Sequence, residues 1–190
     1  MTTVFEQKRT LIMTDVQAQA EYDERSTARN IALRQLANSP KTRQQLEQTL
    51  AKKGVAADVA AEVLDRLAEV GLVDDLAYAH LLVRSRCAAK RISRSSLMRE
   101  LRAKGVADDV IGIAVADIDE AVEFELAREA ATKKLRSMRG LHHEVVVRRL
   151  VGMLARKGFS SALAIKVVQS LELDSENLTK GDYILSDPQD

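Results

Sequence analysis

Histidine and cysteine, the most versatile bases, nucleophiles and metal ligands, are scarce in this 190-residue sequence: three and one. Histidine occurs at positions 80, 142 and 143. His142 and His143 are adjacent, so on a helix they point about 100° apart and would not close on one ion. No H-x3-H spacing accompanies them, and one cysteine cannot complete a zinc site. Cys87 has basic neighbours that would favour a thiolate, but a small residue at a helix end reads more simply as a packing element. Asp74-Asp75 could be read as a general acid and base. Their position at the start of a helical pattern explains them as capping residues instead. The recurring glycines are isolated, so no phosphate-cradling loop is present. The sequence therefore predicts no catalytic constellation, no metal and no cofactor.

Charge is the more informative pattern. From Arg84 to Lys104 the bases are Arg84, Arg86, Lys90, Arg91, Arg94, Arg99, Arg102 and Lys104, against Glu100 alone. From Arg128 to Lys157 they are Arg128, Lys133, Lys134, Arg136, Arg139, Arg148, Arg149, Arg156 and Lys157, against Glu129 and Glu144. The net charge is only +1, so affinity for an anionic partner must come from this clustering. Such a face could track nucleic-acid phosphates or an acidic protein groove. Aromatic residues make up 3% of the chain, with no Trp, so base stacking on single strands is not supported.

A threefold repeat must position these charges. Gly54, Gly105 and Gly158 each follow a lysine (Lys53, Lys104, Lys157) at a spacing of about 50 residues, the signature of tandem helical units. Aligned on the glycines, Leu46, Leu97 and Leu150 correspond, as do Leu50, Leu101 and Leu154. After the turn, Val55, Val106 and Phe159 match, then Val59, Val110 and Leu163. The alignment continues with Val63, Ala114 and Val167, then Leu64, Val115 and Val168, then Leu67, Ile118 and Leu171. The spacing places each set on one helix face. Lysine in a last helical turn faces the negative end of the dipole, and glycine just beyond can adopt a left-handed conformation. Each copy is thus a helix, a glycine turn and a helix.

A third helix precedes each pair. The predicted preceding helices are 27–37 (started by Ser26-Thr27, ended by Pro40), 75–89 and 119–138. The pairs are 41–53 with 56–69, 93–104 with 107–118, and 143–157 with 160–172. Asp74, Ser93 and Ser160 are the expected N-caps, Val73 can staple Tyr78, and Gly140 is the expected stop of the third preceding helix. The fold predicted is all-α, an elongated and curved array of three three-helix repeats near 26–70, 74–118 and 119–173. Residues 1–25 read as a flexible arm, and 174–190 as an acidic tail without structure. Apolar residues reach 46% with no membrane-length run and no signal-peptide pattern, and the lone cysteine fits a reducing cytosol. The expectation is a soluble, cytoplasmic monomer.

Three stretches carry a resemblance: GLVDDLAYAHLLVRSR (Gly71–Arg86), ISRSSLMRELRAKGV (Ile92–Val106) and RRLVGMLARKGF (Arg149–Phe159). With the three repeats in register, the chain resembles the RecX family of bacterial recombination regulators over about Ser26 to Leu173. Val73, Leu76 and Ala77 depart from the residues common there without disturbing the pattern. The resemblance implies a non-enzymatic modulator, an inhibitor, of the RecA recombinase in homologous recombination, DNA repair and the SOS response. Such proteins bind along the groove of the RecA nucleoprotein filament and limit its extension, ATP hydrolysis and strand exchange. The expected contacts are Arg84, Arg86, Lys90, Arg91, Arg94, Arg99 and Arg102, then Lys133, Lys134, Arg148 and Arg149. The partners are RecA and RecA–DNA filaments, with no membrane. The alternative is a helical repeat protein that binds DNA without RecA.

Overall fold

Two short polar side chains set the geometry of the repeats: Thr42 and Ser93, both fully buried at the start of a helix. The computed structural model describes residues 22–138 and 141–181, with side chains to Leu171, and is helical throughout that range. Nine helices are described: α1 (residues 22–38), α2 (Arg43–Lys52), α3 (Ala57–Glu69), α4 (Asp75–Lys90), α5 (Arg94–Ala103), α6 (Asp108–Ala114), α7 (Glu120–Leu135), α8 (His143–Arg156) and α9 (Ser161–Gly181). They occur in the predicted order of three successive three-helix groups.

The apolar positions of the repeat are the core. All those aligned above are buried except Val55, Val110 and Leu171, which are half-buried. The chain divides into two units. The first runs to Tyr78 and includes the turn Lys104–Ala107. Its core joins Ala28 and Ala32 of α1 to Leu46 and Leu50 of α2 and to Val59, Val63, Leu64 and Leu67 of α3. The second holds Ala79–Ala103 and everything from Asp108. There Ala127 and Ala131 of α7 meet Leu150 and Leu154 of α8 and Leu163, Val167 and Val168 of α9. Alanine on the preceding helices lets the larger leucines and valines come close, which fills space without aromatics.

Caps fix where the helices begin. Thr42 forms a reciprocal box with Gln45: its hydroxyl accepts from the Gln45 amide at 3.2 Å, and the Gln45 side chain accepts from the Thr42 amide at 3.1 Å. The T-x-x-Q pattern is legible in the sequence and places the start of α2 two residues later than periodicity suggests. Ser93 accepts from the Ser96 amide at 3.1 Å, Ser160 from Leu163 at 3.2 Å and Asp119 from Val122 at 2.8 Å. Acidic side chains also reach across to neighbouring helix starts. Glu24 accepts from the Ala56 amide, and Glu123 from the Arg94 amide, each at 2.9 Å.

Other boundaries also differ from the sequence expectation. Residues 22–25, assigned to the arm, are helical, so Ser26 and Thr27 lie inside α1; residues 1–21 lie outside the described residues. The helix expected over 107–118 is regular only from Asp108 to Ala114. It then tightens into i−3 bonds from Ala116 to Ile113 and from Ile118 to Val115, because Asp119 must turn extended to cap α7. The backbone of α9 runs on to Gly181, through 174–181 where no structure was expected. Gly140, the expected end of the helix before α8, lies outside the described residues, and α7 is regular only to Leu135.

Each lysine–glycine turn has a positive glycine φ: +81° at Gly54 and Gly105 and +90° at Gly158. The amide of Val55 bonds back to Leu50 and that of Phe159 to Leu154, both at 3.2 Å, closing the helix end in a Schellman-type turn. Two of the turns are also sockets. In the first unit Thr42 donates to the Lys104 carbonyl at 2.6 Å, and a Cβ on Gly105 would fall 2.4 Å from the Gln44 Cβ. In the second, Ser96 donates to the Lys157 carbonyl and Ser95 to the Gly158 carbonyl, each at 3.0 Å. The cap of one repeat's middle helix thus seats on the next repeat's turn.

Candidate functional site

The residues weighed for chemistry resolve into structural roles. Asp74 caps its own helix, accepting from the Ala77 amide at 2.9 Å. Asp75 accepts from the Arg43 amide at 2.9 Å and so caps α2 rather than α4. The two neighbouring carboxylates therefore serve different helices. Burial pushes the Cys87 thiol up, away from the thiolate its basic neighbours would favour. Among the described residues no group of histidine, cysteine, aspartate and glutamate could hold a metal ion. Nor does any described helix have the length and apolarity to cross a membrane.

The cations expected in the second repeat are largely engaged within their own unit. Arg86 makes a forked pair with Glu100 at 2.6 to 3.0 Å. Arg102 pairs with Asp108 at 2.6 Å. Arg94 donates to the Val115 carbonyl at 3.3 Å and Arg99 to the Ser96 hydroxyl at 2.9 Å. Arg84 is exposed on α4. Arg99 and Arg102 together line an open cleft of about 390 Å³ with Met98, Ala155 and Phe159.

The others converge. Lys134, Arg148, Arg149 and Arg156 line a cleft of about 470 Å³ between the end of α7 and α8, together with Met138 and Met153. Beside it a cleft of about 310 Å³ is lined by Lys90, Arg91, Lys133, Lys134 and Lys157, again with Met153. Lys134 and Met153 belong to both, so the two are contiguous. No aspartate or glutamate is among the described residues lining either one. Cations crowd both because α8 presents Arg148, Arg149, Arg156 and the capping Lys157 to the cationic last turn of α7 and the end of α4.

Two residues of the second cleft are held at a cost. Arg91, just past α4, has φ +48°, the left-handed region that disfavours any residue with a Cβ by roughly 1–2 kcal/mol. That conformation carries its guanidinium to Glu129 at 2.6 Å and to the Ala88 carbonyl at 3.2 Å. The Lys157 ammonium donates to the Lys90 carbonyl. Burial, then the charges of Arg91, Lys133 and Lys90, holds its pKa below the ordinary lysine value. The expected contact set left out Arg156 and Lys157. Their signal was present in the charge run that ends at Lys157, but they stand next to the repeat's glycine turn and read there as helix-end residues.

The fold and these clefts define an all-helical tandem-repeat protein with a cationic surface. Three family models match in succession: "RecX, first three-helix domain" over residues 28–67, the second over 74–115 and the third over 121–168. The chain belongs to the RecX regulatory protein family. It is 46% identical over 151 residues to Regulatory protein RecX of Streptomyces coelicolor, covering 79% of this chain and 80% of that one. With Regulatory protein RecX of Mycolicibacterium smegmatis it shares 45% over 164 residues, covering 84% and 87%. The crystal structure of RecX from Lactobacillus salivarius matches in fold with a TM-score of 0.72 at 23% identity, over 80% of this chain and 99% of that one.

Proposed function

We propose that the protein restrains the RecA recombinase by binding RecA–DNA filaments and limiting their extension, ATP hydrolysis and strand exchange. Membership of a family of regulators supports a regulatory role, and the contiguous clefts, where Glu129 pairs with Arg91 but no acid is among the lining residues, support an anionic partner. A tandem-repeat chain offers extended surface rather than a reaction chamber, which suits a partner that is itself a repeating polymer. On this reading the expected contacts are weighted toward the third repeat. Lys90, Arg91, Lys133, Lys134, Arg148 and Arg149 face the filament, while Arg86, Arg94, Arg99 and Arg102 mainly hold their own unit together. The protein acts stoichiometrically, not as an enzyme.

The test is the DNA-dependent ATPase of RecA with increasing amounts of the protein. Inhibition at ratios well below one per recombinase subunit is expected for a ligand that stops filament growth. Unchanged hydrolysis at equimolar protein would sink the proposal.

A further inference from the structure

We infer that the first repeat carries a docking groove for an acidic amphipathic helix of a partner protein. This surface lies outside the filament reading and does not rest on it. The groove has a volume of about 360 Å³ and lies wholly within the first unit. On the α1 side it is lined by Tyr22, Arg25, Arg29 and Leu33, and on the α3 side by Glu62, Val63, Arg66 and Leu67. Each set recurs at helical spacing and so forms one face of its helix. Two such faces side by side leave a valley that a third helix fills, its apolar stripe against theirs. From Tyr22 to Leu33 the valley runs about 16 Å along α1, or about three helical turns. Its apolar surface is open. Val70 is 69% exposed, Tyr22 67% and Leu72 50%, beside the buried Val63 and Leu67. Exposed apolar residues scattered singly mean little, but gathered in one groove they mark a protein contact.

Charge and shape together select the occupant. Three arginines line the groove against one described acid, Glu62, whose carboxylate takes both Arg25 at 2.7 Å and Arg66 at 3.1 Å. Arg25 and Arg29 stand one turn apart on α1, so acids one turn apart on the entering helix meet them. The apolar lining sets this groove apart from a phosphate site, because a nucleic-acid backbone has no apolar stripe to bury there. A second copy docked through the same groove would set arginine against arginine. The chain's own N-terminal arm carries Lys8 and Arg9 just before Leu11-Ile12-Met13, and the arginines repel them. Its tail beyond Gly181 is acidic, but Pro188 follows Asp187 and limits any helix there to under about two turns. An acidic, apolar-striped helix from another protein satisfies both the length and the charge.

The experiment titrates the full chain, its leucine and valine methyls labelled for NMR, with a synthetic helical peptide of about 12 residues. The peptide carries a leucine stripe at helical spacing flanked by glutamates, and a twin carries lysine for every glutamate. The glutamate peptide is expected to shift the methyls of Leu33, Val63, Leu67, Val70 and Leu72, and the twin to leave them in place. Val70→Ser with Leu72→Ser should weaken binding by about tenfold or more. Arg29→Glu with Arg66→Glu should weaken the glutamate peptide as much and admit the lysine twin, a swap that a purely structural role for these arginines would not produce. Lys52→Glu with Lys53→Glu, exposed at the end of α2, should leave the preference unchanged, and circular dichroism confirms helicity throughout. No methyl shift at millimolar glutamate peptide overturns the proposal. So does equal binding of the two peptides, or shifts confined to methyls outside the groove. Binding at the same methyls by a peptide of residues 182–190, or by an oligothymidylate strand, as tight as by the glutamate peptide also overturns it. A dimer of the unmodified chain that Val70→Ser with Leu72→Ser abolishes would show that a second copy covers the groove, and has the same consequence. RecA takes no part in these measurements, so failure here and failure of the filament reading are told apart.

Discussion

Thr42 donates its hydroxyl to the carbonyl of Lys104 at 2.6 Å, across 62 positions of sequence. The same hydroxyl oxygen accepts from the Gln45 amide, so one fully buried group both starts α2 and seats it on the next repeat's turn. Thr42→Val keeps the shape, removes both bonds and leaves the Lys104 carbonyl without that partner. We expect a loss of about 1–3 kcal/mol in denaturant unfolding, with Thr42→Ser recovering most of it.

Gly54 and Gly105 share the same φ but not the same surroundings. A Cβ at Gly54 meets nothing within 4 Å, whereas one at Gly105 falls 2.4 Å from the Gln44 Cβ. Alanine at either position carries the left-handed cost of about 1–2 kcal/mol. Gly105→Ala must also push Gln44 and its helix start away. Gly105→Ala should therefore destabilise clearly more than Gly54→Ala, and equal melting shifts would contradict the socket.

The neighbouring carboxylates Asp74 and Asp75 should separate in amide exchange. Asp74→Ala is expected to speed exchange at Ala77, at the start of α4. Asp75→Ala should speed it at Arg43, at the start of α2. Each should cost about 0.5–2 kcal/mol, the usual worth of an N-cap. Exchange changing at Ala77 alone in both variants would show that Asp75 caps nothing in α2.

The Arg86–Glu100 pair tests whether second-repeat cations are structural. Its side chains are only 28% and 26% exposed, and the contact is forked. A double-mutant cycle with Arg86→Ala and Glu100→Ala should give a coupling of about 1 kcal/mol, at the upper end for partly exposed pairs. A coupling near zero would mean that Glu100 does not hold Arg86.

Lys157 predicts a pH dependence of known sign. Its folded pKa lies below the ordinary 10.5, so between the two values the unfolded chain holds a proton that the folded chain has released. Stability then rises with pH through that window and is fully gained only above 10.5. Denaturant midpoints measured from neutral toward alkaline pH should climb more for the unmodified protein than for Lys157→Gln. Parallel curves would mean that the ammonium is not crowded.

The sequence by itself determined the threefold helical repeat, its glycine turns and its core. Those rest on local rules: apolar residues recur at helical spacing, glycine accepts a left-handed turn, and Asp74, Ser93 and Ser160 cap the helices they precede. It also placed the expected contact cations in two runs of chain. Only the tertiary structure decided which of those cations point at acids and which at solvent. Arg86 meets Glu100 and Arg102 meets Asp108 because separate segments fold onto each other, a relation no periodicity encodes. Lys90, Lys134 and Arg149 become neighbours of Arg156 and Lys157 for the same reason: α8 is laid against α7 by leucine and alanine packing. Charge clustering in a sequence is a property of one dimension. A binding face is set in three, by where the core carries each helix.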